Sequence, residues 1–356
     1  MNKKALIAMS GGVDSSVAAL LMQQQGYECI GCIMQLTDLP EEFRGSTDPV
    51  ADARAVADTL GIPLKVLDLR KEFREIIIED FIRCYRSART PNPCIECNRC
   101  IKFGALLDYA LSLGCDTLAT GHYVCRQKDP ETGLFVLKKA SDPTKDQSYF
   151  LYSLTQEQLR HVEFPLSTYS KTKVRSLADA HVLITARKSD SQDICFVPGG
   201  DYAAIIKAND DAPPLPVEVV DTSGRVLGTH KGLLHYTIGQ RKGLGISAPE
   251  PLYVTGLEPE TNRVILGSNE DLFRWECTVS RVTWALGSMP ASDPATGYIR
   301  CMAKARYRHT EQPASLVPLG SDTFRLIFDE PVRALTPGQS AVFYKDDRVL
   351  GGGIID

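Results

Sequence analysis

Some features are missing from this chain, and each absence removes a class of protein. No apolar run approaches the roughly 18 residues that a membrane-spanning helix needs, because Asp, Arg, Gly or Pro interrupts every candidate. No internal repeat is evident, and 43% hydrophobic with 24% charged residues is typical of globular proteins, which excludes disorder and fibrous architecture. The net charge of −4 excludes a uniformly basic nucleic-acid binder but not a local basic surface.

Length and the start of the chain set the next limits. At about 150 residues per domain, 356 residues indicate two or three domains. The start MNKKALIAM resembles a signal peptide, but its apolar part is too short and Asp14 follows soon after. We therefore interpret it as a first β-strand and expect a cytoplasmic protein.

The first half of the chain alternates strand-like and helical patterns. The candidate strands are 5–9, 28–34, 64–69 and 117–120. Between the second and third of these, apolar residues at spacings of three and four predict a helix over 48–60, which Gly61 and Pro63 end. Such βαβ alternation predicts an α/β domain with a doubly wound parallel sheet.

The pattern changes near residue 205. Twelve of the 21 prolines lie beyond it, and short β-branched segments such as 216–221, 263–266 and 323–328 alternate with turns. The stretch NDDAPPLP at 209–216 is typical of a linker. We predict a catalytic domain over 1–205, a central β-rich domain over 206–270 and a C-terminal β-barrel over 271–356.

The sharpest local motif is SGGVDSS, residues 10–16, between the first strand and a helix predicted over 17–25. Two glycines let the backbone curl around an anion, while the amides and the helix dipole point at it and the serines add donors. The motif matches neither GxxxxGK[ST] nor GxGxxG, so a pyrophosphate-binding loop of another type is indicated. The alternative is an ordinary glycine turn with Asp14 as a helix cap.

Eleven cysteines are too many to ignore, yet an odd, scattered set does not form a disulfide framework. Cys94, Cys97 and Cys100 form two overlapping CxxC spacings before a helix predicted from 101 to 111, and Cys195 lies in a polar segment. We expect Cys94, Cys97 and Cys195 in polar loops. The helix end and the cations Arg99 and Lys102 should lower the thiol pKa values.

Metal binding by these cysteines has only partial support. A zinc ribbon needs a second CxxC some 15–20 residues on, and a ferredoxin run needs a fourth cysteine; neither follows. The other cysteines are interpreted as small buried apolar residues, namely Cys29, Cys32, Cys84, Cys115, Cys125, Cys277 and Cys301.

Six motifs in one order make the pattern specific: SGGVDSS, RTPNPCIEC, ATGHY (119–123), KDQSYFLY (145–152), SQDICF and YTIGQRKGLGI (236–246). With them, nearly the whole chain resembles the tRNA-specific 2-thiouridylases of the PP-loop ATP pyrophosphatase superfamily. The resemblance implies that the C2 oxygen of the wobble uridine of tRNA is adenylated by ATP, with Mg²⁺, and replaced by sulfur.

The resemblance also implies site residues. An ATP site would comprise Ala8, Met9, Ser10, Gly11, Gly12, Val13, Asp14, Ser15, Met34 and Gly121. Cys97 matches the nucleophile and Cys195 the persulfide carrier, a pair that can form a disulfide during turnover, and Asn92, Pro93 and Cys94 match the segment facing the target base. The implied tRNA contacts are His122, Lys145, Asp146, Gln147, Arg306, Tyr307 and Gln339.

One departure leaves the sulfur route open. Position 94 is Cys where many relatives have Asp, so Cys94, Cys97 and Cys195 could instead hold three irons of a [4Fe-4S] cluster whose fourth iron binds hydrosulfide. The alternative is a persulfide on Cys195, loaded by a cysteine desulfurase or a relay protein. Cys100 is a spare thiol in either scheme.

Composition supports a tRNA partner independently. Residues 222–249 contain no Asp or Glu but include His230, Lys231, His235, Arg241 and Lys242, and the acid-free window 294–310 carries Arg300, Lys304, Arg306 and Arg308. Tyr149, Phe150 and Tyr152 are candidates for stacking on a flipped base, with packing as the alternative. Two other functions remain: a PP-loop ligase or amidotransferase acting on a small molecule, and a non-catalytic nucleotide- or RNA-binding module.

Overall fold

The computed structural model describes residues 3–37, 48–189, 194–197, 202, 205–206, 217–230 and 232–356. The predicted linker at 209–216 and Lys231 lie outside these residues. The strands are β1 (Lys4–Met9), β2 (Glu28–Gln35), β3 (Leu64–Asp68), β4 (Thr117–Thr120), β5 (Cys125–Lys128), β6 (Phe135–Lys138), β7 (Val162–Glu163), β8 (Val217–Asp221), β9 (Val226–His230), β10 (Tyr253–Glu258), β11 (Arg263–Gly267), β12 (Phe273–Trp284), β13 (Ile299–Lys304), β14 (Gln312–Pro318), β15 (Phe324–Arg333), β16 (Ser340–Lys345) and β17 (Arg348–Ile355).

The α-helices are α1 (Val13–Gln24), α2 (Pro49–Leu60), α3 (Arg70–Phe73), α4 (Glu79–Arg86), α5 (Pro93–Glu96), α6 (Leu106–Ser112), α7 (Gln156–Arg160) and α8 (Lys171–Ala180). A π-helical segment, Arg74–Ile78, joins α3 to α4, and a second, Cys97–Ala105, joins α5 to α6. No helix within the described ranges is long and apolar enough to cross a bilayer.

The first sheet is parallel and has the order β3-β2-β1-β4-β7. The chain adds β2 and β3 on one side of β1 and then crosses to add β4 on the other side. The order of strand addition therefore reverses between β1 and β4. In an open parallel sheet, a ligand crevice forms at the carboxyl ends of the strands on either side of such a reversal.

Strand β1 shows why this sheet is buried on both faces. Ala5, Ile7 and Met9 pack into the cluster that includes α1 and α2, whereas Leu6 packs into the cluster beneath α6. Alternate side chains of a strand point to opposite faces, so an uninterrupted apolar strand requires a layer of helices on each side. Layers on both sides make the sheet doubly wound.

Local signals place the helix ends. Asp48 caps α2 by accepting a hydrogen bond from the Val50 amide at 2.8 Å, and Gly61 ends the helix in the left-handed conformation at φ 65°. Helix α1 begins at Val13, four residues earlier than predicted. The predicted helix over 101–111 was also placed too late: helical structure starts at Pro93, whose fixed φ suits a first helical position.

The second half of the chain forms two β structures. Strands β10-β11-β8-β9 form a four-stranded sheet around Val219, Val254 and Val264. Strands β12-β15-β14-β13-β16-β17 form a sheet that closes on itself through pairing of β12 with β17. The predicted fold class, a doubly wound parallel sheet followed by β domains, is confirmed.

The barrel also receives a hairpin from the first half of the chain. Strands β5 and β6 pair with each other, and Lys138 of β6 lies opposite Arg348 of β17. The barrel sheet is therefore extended by a hairpin that follows β4 in the chain, which connects it to the first half of the protein.

Candidate active site

The phosphate loop follows β1 directly. Gly11 has φ 68°, and a Cβ at this position would lie 2.7 Å from the Pro49 carbonyl oxygen, so only glycine fits between the loop and the start of α2. Gly12 is the N-cap of α1, and no side chain caps the helix there. The first amides of α1 therefore remain available to an anion at the helix N-terminus.

The hydroxyls of Ser15 and Ser16 form hydrogen bonds within the phosphate loop. Ser15 Oγ accepts a hydrogen bond from the Ser10 amide, and both Ser15 and Ser16 donate to the Gly12 carbonyl at 3.1 and 2.9 Å. Both serines are buried. The predicted role of these hydroxyls as phosphate donors would require them to leave these internal bonds.

Asp14 lies in the first turn of α1 and does not cap it, because Gly12 occupies the N-cap. Its carboxylate accepts two hydrogen bonds from Lys171 Nζ, at 2.7 and 2.8 Å, and one from the Tyr123 hydroxyl at 2.7 Å. Neither partner was predicted, since nothing in the sequence distinguishes Lys171 from its neighbour Lys173. A lysine 157 positions away neutralises the only carboxylate of the loop.

Gly121 brings the end of β4 against this loop. A Cβ on Gly121 would lie 2.7 Å from the Asp14 carbonyl carbon and the Ser15 nitrogen, both backbone atoms. Met34 lies near the end of β2 and is partly buried between two apolar clusters. The predicted ATP residues thus line the carboxyl ends of β1, β2 and β4, where the crevice is expected.

The cysteine segment is helical rather than a loop, contrary to our expectation. Asn92 precedes α5, Pro93 and Cys94 lie in α5, and Cys97 begins the π-helical segment. Cys97 is only 6% exposed and packs among apolar residues.

The predicted lowering of the thiol pKa values is wrong. Burial raises the pKa of Cys94, Cys97 and Cys100, because desolvation disfavours the charged thiolate. Lys102 opposes this effect at Cys94 and Cys97, whereas Arg99 does so at Cys100. Arg99 is otherwise held by Glu96 at 2.6 Å.

Cys195 reaches the same place from a distant part of the chain. The side chain is exposed, but the next two residues, Phe196 and Val197, are buried in the apolar cluster that contains Cys97. Desolvation by the surrounding protein raises the pKa of Cys195 to about 12. The neighbouring Cys97 and Cys94 raise it further, and the Lys102 ammonium opposes them. The structure therefore brings Cys94, Cys97 and Cys195 together.

These thiols do not form a site for a single metal ion. Across the described ranges, no group of three or more His, Cys, Asp and Glu side chains is placed to hold one metal ion. All three cysteines belong to those ranges. A [4Fe-4S] cluster binds each cysteine to a different iron, so this finding concerns a site for a single ion and leaves three cysteines of the right chemistry for a cluster near one another.

His122 lies just after β4 and packs against Phe103 of the π-helical segment that begins at Cys97. Its Nδ1 lies 2.8 Å from the Thr120 hydroxyl, and its ring packs against Phe103 and Phe164. Burial and the Lys102 ammonium lower the pKa of His122 well below its ordinary value. The imidazole is therefore neutral at physiological pH.

The barrel covers the segment before the cysteines. Gln339 Nε2 donates to the Thr90 carbonyl at 2.8 Å and to the Pro91 carbonyl at 3.3 Å. Gly338 has φ 90°, and a Cβ there would lie 2.9 Å from the Thr90 nitrogen. The loop that leads to Asn92 is thus positioned by the barrel.

Three further predicted tRNA residues lie near His122. Asp146 accepts hydrogen bonds from the Ala140 amide and the Ser148 hydroxyl, and Gln147 accepts one from the Tyr123 amide. Lys145 is half-buried and interacts electrostatically with Tyr307. Asp146 and Gln147 therefore shape the loop as well as being candidate tRNA contacts.

Tyr307 and Phe150 are the accessible aromatic pair. Their ring centroids lie 4.5 Å apart, and both side chains are partly exposed. Tyr149 and Tyr152 are buried and make hydrogen bonds to Ser340, which removes them as stacking candidates. Of the three aromatic residues proposed from sequence, Phe150 alone can reach a base here.

Only some cations of the two acid-free windows, 222–249 and 294–310, are available to contact tRNA. Arg300 is held by Asp329 at 2.8 Å, whereas Arg241 and Lys242 are exposed. Arg306 donates to the Ile238 carbonyl and to the Thr336 hydroxyl, so it joins the central sheet region to the barrel. Burial lowers the pKa of Arg306, opposed by Tyr149.

Three family profiles match consecutive parts of the chain: the tRNA methyl transferase HUP domain over residues 3–199, the tRNA methyl transferase PRC-barrel domain over 210–268 and the aminomethyltransferase beta-barrel domain over 274–355. The tRNA-specific 2-thiouridylase MnmA of Clostridioides difficile is 46% identical, covering 100% of this chain and 99% of that protein. The chain belongs to the tRNA-specific 2-thiouridylase family. The predicted family is therefore confirmed.

Other 2-thiouridylases match to a similar extent. MnmA of Geobacter metallireducens is 45% identical over 99% of this chain and 97% of that protein, and MnmA of Paramagnetospirillum magneticum is 47% identical over 99% and 95%. Among solved structures, the U34-tRNA thiolase NcsA of Methanococcus maripaludis, with its [4Fe-4S] cluster, is 20% identical, with a TM-score of 0.36 and coverage of 58% and 64%.

Proposed function

We propose that this chain transfers sulfur to C2 of the wobble uridine of tRNA, after ATP has adenylated the C2 oxygen. The chain is a tRNA sulfurtransferase by family membership. The adenylated intermediate, the sulfur carrier and the individual site residues are parts of the proposal. The observation that carries it is the packing of the Cys195 segment against Cys97, next to the strand ends that bear the phosphate loop.

The first step uses the phosphate loop. The C2 oxygen of uridine attacks the α-phosphorus of ATP, and pyrophosphate leaves with the electron pair of the broken P–O bond. Residues 10–15, together with Met34 and Gly121, would bind ATP with its Mg²⁺. This metal would be held mainly by the phosphates, because Lys171 and Tyr123 already engage Asp14.

The second step uses the two thiols. The terminal sulfur of a Cys195 persulfide, loaded by a desulfurase or relay protein, loses its proton, attacks C2 and expels AMP. The Cys97 thiolate then attacks Cys195 Sγ, which breaks the S–S bond, leaves the thione on C2 and forms a Cys97–Cys195 disulfide. A dithiol reductant restores both thiols. Lys102 supports both thiolates because its ammonium opposes the burial that raises their pKa.

We favour this route over the iron-sulfur alternative. In the thiol route, Cys94 faces the target base with Asn92 and Pro93 and does not carry the sulfur that is transferred to uridine. Transfer of a persulfide sulfur requires only the pair of thiols that the structure brings together.

The tRNA contacts complete the proposal. His122, Lys145, Asp146 and Gln147 would contact tRNA next to the thiols, and Arg306, Tyr307 and Gln339 from the barrel side. Phe150 and Tyr307 offer an aromatic surface on which an extruded base can stack. Arg241 and Lys242 offer phosphate contacts.

The test compares serine variants of four cysteines. The protein is purified anaerobically, its iron is quantified, and unmodified tRNA, ATP and a persulfide donor are supplied. We expect Cys195→Ser and Cys97→Ser to abolish 2-thiouridine, measured by nucleoside mass spectrometry, while ATP binding persists. Cys100→Ser is the matched control from the same helix and should leave thiolation unchanged.

Cys94→Ser separates the two sulfur routes. Retained thiolation in this variant supports the persulfide route, whereas loss of thiolation together with loss of bound iron contradicts it. Thiolation that survives in Cys195→Ser would contradict both cysteine schemes. Absence of 2-thiouridine and AMP from the wild type would point instead to a binding module.

A further inference from the structure

Two lysines from one stretch of chain hold the phosphate loop, and neither belongs to the predicted site. Lys171, the first residue of α8, donates to both carboxylate oxygens of Asp14 at 2.7 and 2.8 Å. Its side chain is only 12% exposed. Because little solvent reaches the Lys171 ammonium, its charge is balanced mainly by the Asp14 carboxylate rather than by water.

Lys188 holds the other end of the loop. Its Nζ donates to the Gly11 carbonyl at 3.0 Å and to the Asp52 carboxylate at 2.6 Å. Asp52 lies in the first turn of α2. One ammonium thus joins the left-handed glycine of the loop to the neighbouring helix.

A third contact lies between the two lysines. The Thr185 hydroxyl donates to Ser16 Oγ at 3.0 Å, and both side chains are buried. The stretch 171–188 therefore contacts the loop at Gly11, Asp14 and Ser16. Contacts at three points fix an orientation that a single ion pair would leave free.

We propose that Lys171 and Lys188 are positioning residues for ATP, and that their ammonium groups hold the phosphate loop in the conformation that receives pyrophosphate. The inference rests on the proposed function. Lys171 cancels the Asp14 charge, so the loop presents its amides to a polyanion without a neighbouring negative charge. Lys188 keeps the Gly11 carbonyl turned away from the anion.

Electrostatics gives the expected direction. Without Lys171, an uncompensated carboxylate remains in the loop and repels the phosphates of ATP. Removing the Asp14 charge as well should restore part of the affinity, because the repulsion disappears with it. A role limited to folding would restore the stability of the double variant but not the ATP affinity of the folded protein, so affinities are compared only at temperatures where thermal melts show every variant to be folded.

The experiment measures ATP binding by calorimetry and pyrophosphate release in the full-length protein with tRNA. We expect Lys171→Met and Lys188→Met each to raise the Kd for ATP on the order of tenfold, the effect of losing about 1.4 kcal/mol. Lys171→Arg should recover most of the affinity. Lys173→Met is the matched control, since Lys173 is exposed on the same helix, and should bind ATP as the wild type does.

The double variant Asp14→Asn/Lys171→Met decides the mechanism. Tighter ATP binding by this variant than by Lys171→Met supports charge neutralisation, whereas equal or weaker binding overturns it. Thermal melts check that each variant is folded. If the wild type binds ATP and releases pyrophosphate but Lys171→Met and Lys188→Met behave identically to it, the role of the two lysines is disproved and the proposed function stands. If the wild type neither binds ATP nor releases pyrophosphate, the proposed function is disproved.

Discussion

The phosphate loop and the thiol site lie at the same end of the parallel sheet but are built in different ways. The loop is one run of residues, 10–16, whose glycines and serines fold it locally. The thiol site combines residues 92–102, 120–122 and 195–197. The turn of the first follows from its own glycines and serines and is then fixed by Lys171 and Lys188, whereas the chemistry of the second depends on what distant segments bury.

The largest expected effect tests the close packing of the loop. We expect Gly121→Ala to weaken ATP binding on the order of 100-fold, because the new Cβ would lie 2.7 Å from two backbone atoms of the loop. Gly320→Ala is the control, since a Cβ there meets nothing within 4 Å. Calorimetric titration with ATP checks both variants, and unchanged affinity in Gly121→Ala would mean that the loop yields easily.

The next prediction concerns thiol reactivity. Lys102 opposes the raised pKa values of Cys97 and Cys195, so Lys102→Met should raise them further. Alkylation of both thiols at pH 8 should slow by up to about tenfold, the effect of one pKa unit. In the wild type, labelling of Cys195 should still rise above pH 9, because its pKa of about 12 keeps this thiol largely protonated there.

The control for this prediction is Arg99→Met. Arg99 lowers the pKa of Cys100 but does not act on Cys97 or Cys195. Peptide mapping after timed alkylation should therefore show slower labelling of Cys100 alone. Equal slowing of all three thiols in both variants would show that the helix has been disturbed rather than its charges.

The fold could be predicted from sequence where local signals are dense. Alternating apolar runs predicted β1–β4, and the pattern from Asp48 to Gly61 predicted α2. The order of the six motifs identified the family. The pKa of Cys97 could not be predicted, because its burial depends on Phe196, almost a hundred residues away. Lys171 was missed for the same reason: its ion pair joins positions 157 apart.

A smaller effect tests the contact between the barrel and the thiol site. Gln339→Ala removes two hydrogen bonds to the loop before Asn92. We expect the free energy of unfolding to fall by about 1 kcal/mol. Thiolation should fall more than ATP binding, because the loss displaces the thiol side of the crevice. Gln127→Ala, at an exposed position on β5, is the control in urea unfolding and activity assays.

The smallest effect concerns acid stability. Burial, with Arg306, Arg333 and Lys304 nearby, lowers the pKa of His309 to about 4. The unfolded chain, with a histidine pKa near 6.5, binds the proton first, so the stability of the folded state falls as the pH drops from about 6.5 towards 4. His309→Gln should remove this contribution and leave stability at pH 8 nearly unchanged.

Solvent screening at this half-buried position limits the gain at pH 5 to less than about 1 kcal/mol. Urea unfolding at pH 5 and pH 8 measures it, with His181→Gln as the exposed control. An equal change at both pH values would assign the effect to lost packing. A change at pH 5 alone would show that the basic surface around Arg306 keeps its histidine neutral, so that the arginines and Lys304 carry the positive charge offered to tRNA there.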